Sequence, residues 1–203
     1  NLPGVVITVR PVRYYPNGTL AAHVLGYAGE ITKDELNKLR AAGYQLKDII
    51  GKEGVESSYD NYLRGVDGGQ QLEIDVYGRP VRTTGALDPV SGADIKLTVD
   101  IELQKVVEKN LEGKYGSVIV MDPRSGEILA MASRPTYDPN VFAEPMEKWE
   151  WEQMDRAGHP FLNRAISTYP PGSTFKVVSL SAALQEGTVK LKPYKGNVAV
   201  IGR

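Results

Sequence analysis

The chain has 203 residues, of which 41% are hydrophobic and 24% charged, and its 24 basic and 25 acidic side chains give a formal net charge of -1. This composition is ordinary for a folded protein of one large or two modest domains, and it argues against nucleic-acid binding through a global basic field. Cysteine is absent, which excludes disulfides, cysteine-based metal sites and thiol nucleophiles and is compatible with an oxidising extracytoplasmic location.

Histidine and long apolar stretches are also scarce. His23 and His159 are the two histidines and lie far apart in the sequence, which argues against a zinc site or a Ser-His-Asp triad and favours a structural or surface role for each. No apolar stretch reaches the roughly 20 residues that a membrane-spanning helix needs, and no signal peptide opens the chain. We therefore expect a soluble chain that uses no metal and no cofactor.

The first fifty residues predict a strand and a helix. Residues Val5 to Tyr15 are rich in Val, Ile and Tyr and alternate partly, which predicts a strand closed by a turn at residues 16 to 18. Thr32 and Glu35 have the spacing of a capping box, so we expect a short amphipathic helix that begins there and stops at Gly43.

Residues 55 to 92 predict a second helix, a second strand and a domain boundary. Val55 to Leu63 fits an amphipathic helix with Tyr59, Tyr62 and Leu63 on one side. Gln71 to Val81 alternates apolar and polar side chains, the pattern of a half-buried strand. The turn-rich stretch 88–92 is the best candidate boundary, and we divide the chain there into domains of residues 1–91 and 92–203.

The second half predicts a strand, a capped helix and a hairpin before its last helix. Residues 95–99 alternate as a strand, and Asp100 then caps a helix with a 3.6-residue apolar period. Gly116 to Met121 and Glu127 to Ser133 predict antiparallel strands joined by a turn at 122–126, and a loop over residues 134–162 follows. The periodic helix positions are Leu103, Val106, Val107, Asn110 and Leu111.

Ser173 and Lys176 place a hydroxyl and an amine on one face of the first turn of the last predicted helix. A neutral Lys176 there could take the proton from Ser173 as the hydroxyl attacks a carbonyl, while the helix N-terminus stabilises the oxyanion. Burial favours the neutral form of a lysine. The bare spacing also fits a capped helix with a solvated lysine, which stays the alternative at this point. The residues expected to bury the lysine are Phe175, Val178, Leu180 and Leu184.

Several stretches of the second half resemble the transpeptidase domain of class B penicillin-binding proteins in order and spacing. They are MDPRSGEILAMAS at 121–133, YDPN at 137–140, NRA at 163–165 and YPPGSTFK at 169–176. Upstream, AAHVLGY at 21–27 and IGKEGVE at 50–56 resemble the pedestal of the elongation-type members of this family. The resemblance covers most of the chain, to about Val189.

This resemblance implies an α+β chain. A strand-rich, elongated pedestal of the dimerisation type would precede the N-terminal part of a transpeptidase domain with the serine β-lactamase-like fold. The family implies a membrane-anchored D,D-transpeptidase, with its catalytic domain outside the cytoplasm, that cross-links peptidoglycan stem peptides and is acylated by β-lactams. On this pattern Ser173 would be the nucleophile and Lys176 the base. The pedestal would dock on a membrane glycan polymerase or on a scaffold protein. Residues implied to join the pedestal to the catalytic domain are Gly51, Glu53, Gly54 and Glu56.

The sequence departs from the family pattern after Lys176, because neither the S-x-N triad nor the K-T-G strand follows it. We therefore expect a fragment, or a parent protein with stretches joined up, and we expect this piece by itself to be inactive. The alternatives are a non-catalytic interaction module, a division-type class B protein, and a class D β-lactamase or β-lactam sensor with the same Ser-Thr-Phe-Lys element. The hairpin and the long pedestal argue against the hydrolase and the sensor.

Overall fold

The computed structural model describes residues 12–77, 80–143, 146–156, 158–192 and 200–202. The chain forms two compact units, Asn1–Ile166 and Ser167–Arg203. Helices alternate with two-stranded antiparallel sheets throughout the described residues, which confirms the predicted α+β class. The domain boundary expected after Ser91 falls inside the first unit and stays a prediction.

The elements of the first unit begin with a group of short helices and strands. These are α1 (Ala22–Leu25), β1 (Ala28–Glu30), α2 (Lys33–Leu39), β2 (Ile49–Gly51), α3 (Gly54–Ser58), α4 (Asp60–Leu63), β3 (Gly69–Ile74) and β4 (Pro80–Leu87). The unit continues with α5 (Ile101–Asn110), β5 (Gly116–Met121), β6 (Ile128–Arg134) and α6 (Lys148–Arg156).

The capping box at the start of α2 is confirmed. The Thr32 hydroxyl accepts a hydrogen bond from the Glu35 backbone N–H at 3.3 Å, and the Glu35 carboxylate accepts one from the Thr32 backbone N–H at 2.7 Å. After α2 a 3-10 turn, Arg40–Ala42, leads into Gly43 with a left-handed φ of 84°. Glycine adopts that conformation without a Cβ clash, which is why the chain turns at this residue.

Two predictions for the pedestal need correction, and a third falls mostly on residues that the structure does not describe. Most of the strand predicted over Val5 to Tyr15 lies outside the described residues, and 12–15 form no strand, although Gly18 donates to the Tyr15 carbonyl at 3.0 Å in the predicted turn. The single helix predicted over 55–63 breaks at Tyr59 into α3 and α4, and Tyr59 and Tyr62 are exposed. The half-buried strand predicted over 71–81 is instead the β3–β4 hairpin.

The β3–β4 hairpin is exposed on both faces. Leu72 and Ile74 of β3 are 46% and 62% exposed, and every residue of that strand is exposed. An alternating pattern specifies a strand with two different faces, but it does not specify that another layer covers the apolar face. The burial predicted for this strand is therefore wrong.

The second half of the unit follows its predicted order up to the end of β6 with one exception. The Asp100 carboxylate caps α5 by accepting from the backbone N–H groups of Glu102 and Leu103 at 2.9 and 3.0 Å. Strands β5 and β6 form the predicted antiparallel hairpin. Residues 95–99, however, form no strand, because they meet the start of β6 through isolated bonds rather than a ladder: the Thr98 hydroxyl donates to the Ile128 carbonyl and the Asp100 N–H donates to the Leu129 carbonyl.

Two hydrophobic clusters form within the first unit. The pedestal cluster contains Ile31, Leu36, Tyr44 and Ile50, with Leu39 packed against it. The hairpin cluster lies between α5 and β6 and contains Val107, Ala130 and Ala132, with Leu103, Leu111 and Val120 packed against it. The two clusters share no member among the described residues, so each half of the unit has its own small core.

The stretch predicted as a loop after β6 contains helical structure. Pro139–Phe142 forms a 3-10 turn capped by the Asp138 carboxylate, and α6 follows. An aromatic group links this stretch to the pedestal: Tyr27 stacks on Phe142 with ring centroids 3.8 Å apart, and Trp151 stacks on Phe161 at 4.2 Å. Tyr137, 3% exposed, lies at the centre of the group.

The second unit contains α7 (Lys176–Gln185) and a small hairpin of β7 (Lys190–Lys192) and β8 (Val200–Gly202). A 3-10 turn, Gly172–Phe175, leads directly into α7. Hydroxyl side chains bond back to the preceding turn of the helix, with Ser179 donating to the Phe175 carbonyl at 3.3 Å and Ser181 to the Val177 carbonyl at 2.8 Å.

Candidate active site

The S-x-x-K segment lies where the sequence predicts it, at the start of a helix. Ser173 belongs to the 3-10 turn and Lys176 is the first residue of α7, with its backbone N–H donating to the carbonyls of Ser173 and Thr174. Gly172 has a left-handed φ of 54°, and the Thr174 hydroxyl bonds back to the Pro171 carbonyl. A helix start of this kind leaves backbone N–H groups free to bind a developing oxyanion.

The cover expected around Lys176 is absent from the described residues. Ser173 and Lys176 are both exposed. Phe175 and Val178, which were expected to bury the lysine, are themselves 52% and 57% exposed. Leu180 and Leu184 are half-buried. The predicted burial is therefore wrong for this chain, since a single helix in a small unit has too little apolar surface around it to exclude water.

A second motif that carries the family resemblance, NRA at 163–165, holds the loop that follows α6 in place. The Arg164 guanidinium donates to the carbonyls of Gly158 at 2.9 Å and His159 at 3.2 Å. The Ser133 hydroxyl donates to the Leu162 carbonyl at 3.1 Å and accepts from the Arg164 backbone N–H at 3.0 Å. The end of β6 thus holds this loop in place two residues before the first unit ends.

The pedestal motif at 50–56 makes most of its contacts within the pedestal. Glu56, 9% exposed, accepts from the Arg13 guanidinium at 3.1 Å and from the Tyr15 hydroxyl at 3.3 Å. Burial, with the Glu56 charge beside it, raises the pKa of Tyr15. Tyr15 in turn contacts the second half of the unit: its backbone N–H donates to the Asn140 side-chain oxygen, and its carbonyl accepts from the Asn140 side-chain nitrogen, both at 2.9 Å.

The glycines of this motif allow close backbone approach. Gly54 has a φ of 59°, and a Cβ at this position would lie 2.5 Å from the Val24 carbonyl oxygen. Gly51 donates its N–H to the Asp60 carboxylate at 2.7 Å. Glu53, in contrast, lies at the surface, where the surrounding protein shields part of its carboxyl from water and so raises the pKa of that carboxyl. Through Gly54 this segment lies close to the backbone of α1. That Gly51, Glu53, Gly54 and Glu56 join the pedestal to the catalytic domain stays a prediction.

The two histidines take the structural and surface positions that were predicted. His23 is buried, its Nε2 lies 2.7 Å from the Pro160 carbonyl oxygen, and its ring meets Tyr137 edge-on. Burial lowers the pKa of His23. His159 is exposed and pairs with Asp155 at 3.1 Å. Within the described residues no three His, Asp or Glu side chains come together in the manner of a metal site.

Sequence reasoning missed a buried polar network on α5. Gln104 and Glu108 are 0% and 5% exposed, whereas Val106, which was expected on the buried face, is 57% exposed. Apolar periodicity cannot detect buried polar side chains. The available signal was their position: both lie four residues apart on the same face as Val107 and Leu111.

Two family models match successive parts of the chain. Residues 1–97 match the family model of penicillin-binding protein dimerisation domains, and residues 116–195 match that of penicillin-binding protein transpeptidase domains. The chain belongs to the penicillin-binding proteins. Both Ser173 and Lys176 lie in the part that matches the transpeptidase model.

Individual penicillin-binding proteins match almost the whole chain. The peptidoglycan D,D-transpeptidase MrdA of Acinetobacter baumannii is 40% identical over 189 residues, which cover 92% of this chain and 28% of that protein. The chain spans less than a third of the length of the curated relatives that it matches.

Solved penicillin-binding proteins share the fold. PBP2 of Pseudomonas aeruginosa, in complex with WCK 5153, matches with a TM-score of 0.71 and 32% identity over 93% of this chain and 40% of that one. PBP2 of Helicobacter pylori, in complex with MreC, matches with a TM-score of 0.70 and 31% identity over 93% of this chain and 37% of that one. Within the described residues no helix is both long and apolar enough to span a bilayer.

Proposed function

We propose that this protein acts as a peptidoglycan D,D-transpeptidase that forms an acyl-enzyme on Ser173. The observation that carries the proposal is the position of Ser173 and Lys176 at a helix start inside the region that matches the transpeptidase family. Relatives named peptidoglycan D,D-transpeptidase support the reaction class. The match of residues 1–97 to a dimerisation domain disfavours a class D β-lactamase or a β-lactam sensor.

The proposed chemistry assigns one role to each side chain. The Ser173 hydroxyl oxygen attacks the carbonyl carbon of the penultimate D-alanine of a stem peptide, and its proton passes to neutral Lys176. The oxyanion is stabilised by N–H groups at the helix start, and the terminal D-alanine leaves as its amine takes up the proton. The amine of a second stem peptide then attacks the ester carbonyl and releases Ser173. A β-lactam would stop at the ester because no amine reaches it.

Because Lys176 is exposed, its protonation state depends on whether further residues cover it. A lysine base needs an environment that favours its neutral form, and water favours the charged form. The relatives are more than three times as long as the part that matches, so the remaining length of a transpeptidase domain is available to cover the lysine. We infer that the residues described here require such cover for turnover.

The same proposal implies a cellular location and a binding partner for the protein. Nascent glycan strands are cross-linked outside the cytoplasm, so we place the catalytic region on the extracytoplasmic side of a membrane anchor. The pedestal would bind a membrane glycan polymerase during elongation. The exposed β3–β4 hairpin supports a docking role, since an isolated two-stranded hairpin is marginally stable in water and gains from a partner.

Labelling with a fluorescent penicillin tests the enzymatic proposal. The full-length gene product should label in a one-to-one ratio at Ser173, the Ser173→Ala variant should not label, and Ser179→Ala, a hydroxyl further along α7, should label normally. Lys176→Ala should slow labelling at least about a hundredfold, as expected for loss of a general base. Labelling of Ser173→Ala at the wild-type level would overturn the proposal, and rapid loss of the label would indicate a β-lactamase.

A further inference from the structure

Glu108 of α5 connects the pedestal to the second half of the first unit through a buried carboxylate. One carboxylate oxygen accepts from the Ala21 backbone N–H at 2.7 Å and from the Gln104 amide at 2.8 Å. The other accepts from the Arg134 guanidinium at 3.1 Å. Glu108 is 5% exposed, so these bonds are made away from water, where an unpaired partner is costly.

The network reaches β6 from two directions. Gln104 clamps the Met131 backbone, donating to its carbonyl and accepting from its N–H, both at 2.9 Å. Arg134 is the last residue of β6. Glu108 therefore links the pedestal backbone at Ala21 to both the middle and the end of one strand.

The pedestal side of this contact has little stability of its own. Helix α1 has four residues, far below the length at which a helix is stable in isolation. Ala21, which precedes it, has a left-handed φ of 56° that a residue with a Cβ adopts at a cost. Helix α1 therefore depends on docking for its structure.

One polar atom next to the Glu108 network has no hydrogen-bond partner among the described residues. That atom is the buried Nε of Arg134. Other hydrogen bonds also hold α1: Asn163 donates to the His23 carbonyl at 3.4 Å, Tyr137 donates to the Ala22 carbonyl at 3.4 Å, and the His23 ring Nε2 lies 2.7 Å from the Pro160 carbonyl oxygen. Strain on one side and an unpaired donor on the other bring the docked and undocked states closer in free energy.

We propose that Glu108 is a latch that holds residues 20–25 as a docked helix, and that loss of its contacts releases and unwinds this segment while both hydrophobic clusters remain folded. The aromatic group contacts α1 through Tyr137, but its stacked pair Tyr27 and Phe142 lies past the C-terminal end of α1 and keeps the two halves together when the latch opens. The device is an order–disorder switch between pedestal and catalytic region.

Hydrogen exchange on the 203-residue chain tests the latch. The Glu108→Gln variant keeps the shape of the side chain but replaces one accepting oxygen by an NH2 group. That group would face the donors that now bond Glu108, which are the Ala21 N–H, the Gln104 amide and the Arg134 guanidinium. We expect exchange in a peptide covering 20–26 to rise at least about tenfold, while α2 and β5 keep their protection. Glu102→Gln, on the same helix but exposed and paired with Lys105, should change nothing at 20–26. Unchanged protection of 20–26 in Glu108→Gln, or an equal rise in all peptides, would overturn the proposal.

A second variant acts in the opposite direction and does not weaken the carboxylate network. Ala21→Gly removes the cost of the left-handed φ and leaves the Glu108 contact in place, so exchange at 20–26 should slow by about threefold or more. Faster or unchanged exchange there would contradict the claim that the segment is poised to open, whether or not Glu108→Gln folds.

Discussion

At the scale of single residues, Glu35 shows how one carboxylate serves two partners. It caps α2 through Thr32 and accepts from the Lys52 ammonium at 2.6 Å. Burial would raise the pKa of Glu35, but the hydrogen bonds from Lys52 and Thr32 outweigh it and lower the pKa to about 2 from its usual 4.5. A carboxyl with a depressed pKa stabilises the folded state above the unfolded-state value and loses that contribution as the pH falls toward 2.

The Glu35→Gln variant should therefore be less stable than the wild type at pH 7 and nearly equal to it near pH 2. Because the side chain is 35% exposed, we expect a loss of only about 1 kcal/mol at pH 7. Urea unfolding at pH values from 2 to 7 measures the difference. Asp34→Asn, in the same helical turn, is the control and should keep the wild-type pH dependence. A Glu35→Gln chain with an unchanged slope between pH 4.5 and 2 would contradict the assignment.

Single residues also mark the limit of prediction from the sequence. The caps at Thr32 and Asp100 were predictable because an N-cap needs residues only two or three positions away. Gln104 and Glu108 were not, since their partners Ala21, Met131 and Arg134 lie elsewhere in the chain. The nucleophile motif combined both cases: its helical position was predictable, and its solvent exposure was not.

At the scale of elements, the β3–β4 hairpin carries a prediction about partner binding. If the hairpin docks as proposed, Leu72→Ser with Ile74→Ser should weaken co-purification of the full-length gene product with the proposed membrane glycan polymerase by at least about tenfold. The folding stability should change by less than about 0.5 kcal/mol, because both side chains are exposed. Leu46→Ser, an equally exposed apolar residue outside the hairpin, is the matched control.

The outcome separates docking from folding. Undiminished polymerase binding by the double variant would exclude the hairpin as the docking element. A loss of stability well above 0.5 kcal/mol would instead show that the hairpin packs against another part of the protein, and the binding result would then carry no weight.

Elements also divide into those that local signals specify and those that need a partner. The turn at 122–126 and the alternation beside it specify the β5–β6 hairpin, since both strands are adjacent in the sequence. Apolar and polar side chains alternate in residues 95–99 as well, so the pattern predicted a strand. This stretch forms no strand because it meets β6 through isolated hydrogen bonds instead of a ladder. Tyr59 ends α3 where a continuous helix was predicted because the bonds of Gly51 and Tyr44 to Asp60 hold the chain at that point.

At the scale of the whole first unit, separate cores predict separate opening. The pedestal cluster and the hairpin cluster share no member among the described residues, and the contacts between the two halves described above are hydrogen bonds and the ring contacts of one aromatic group. Contacts of that kind resemble an interface between domains more than a continuous core. A substitution that weakens one cluster should therefore increase local unfolding in that half before it affects the other half.

Paired cavity variants test this independence. Ile50→Ala removes a buried side chain from the pedestal cluster and should cost about 2 to 4 kcal/mol there. Hydrogen exchange should rise in α2 and remain unchanged in α5. Val107→Ala should have the reverse effect, with a smaller cost of about 1 to 3 kcal/mol because fewer atoms are removed. If either variant raised exchange in α2 and α5 by the same factor, the halves would unfold as one cooperative body. The hydrogen bonds and ring contacts between the halves would then be as stable as the two clusters that they connect.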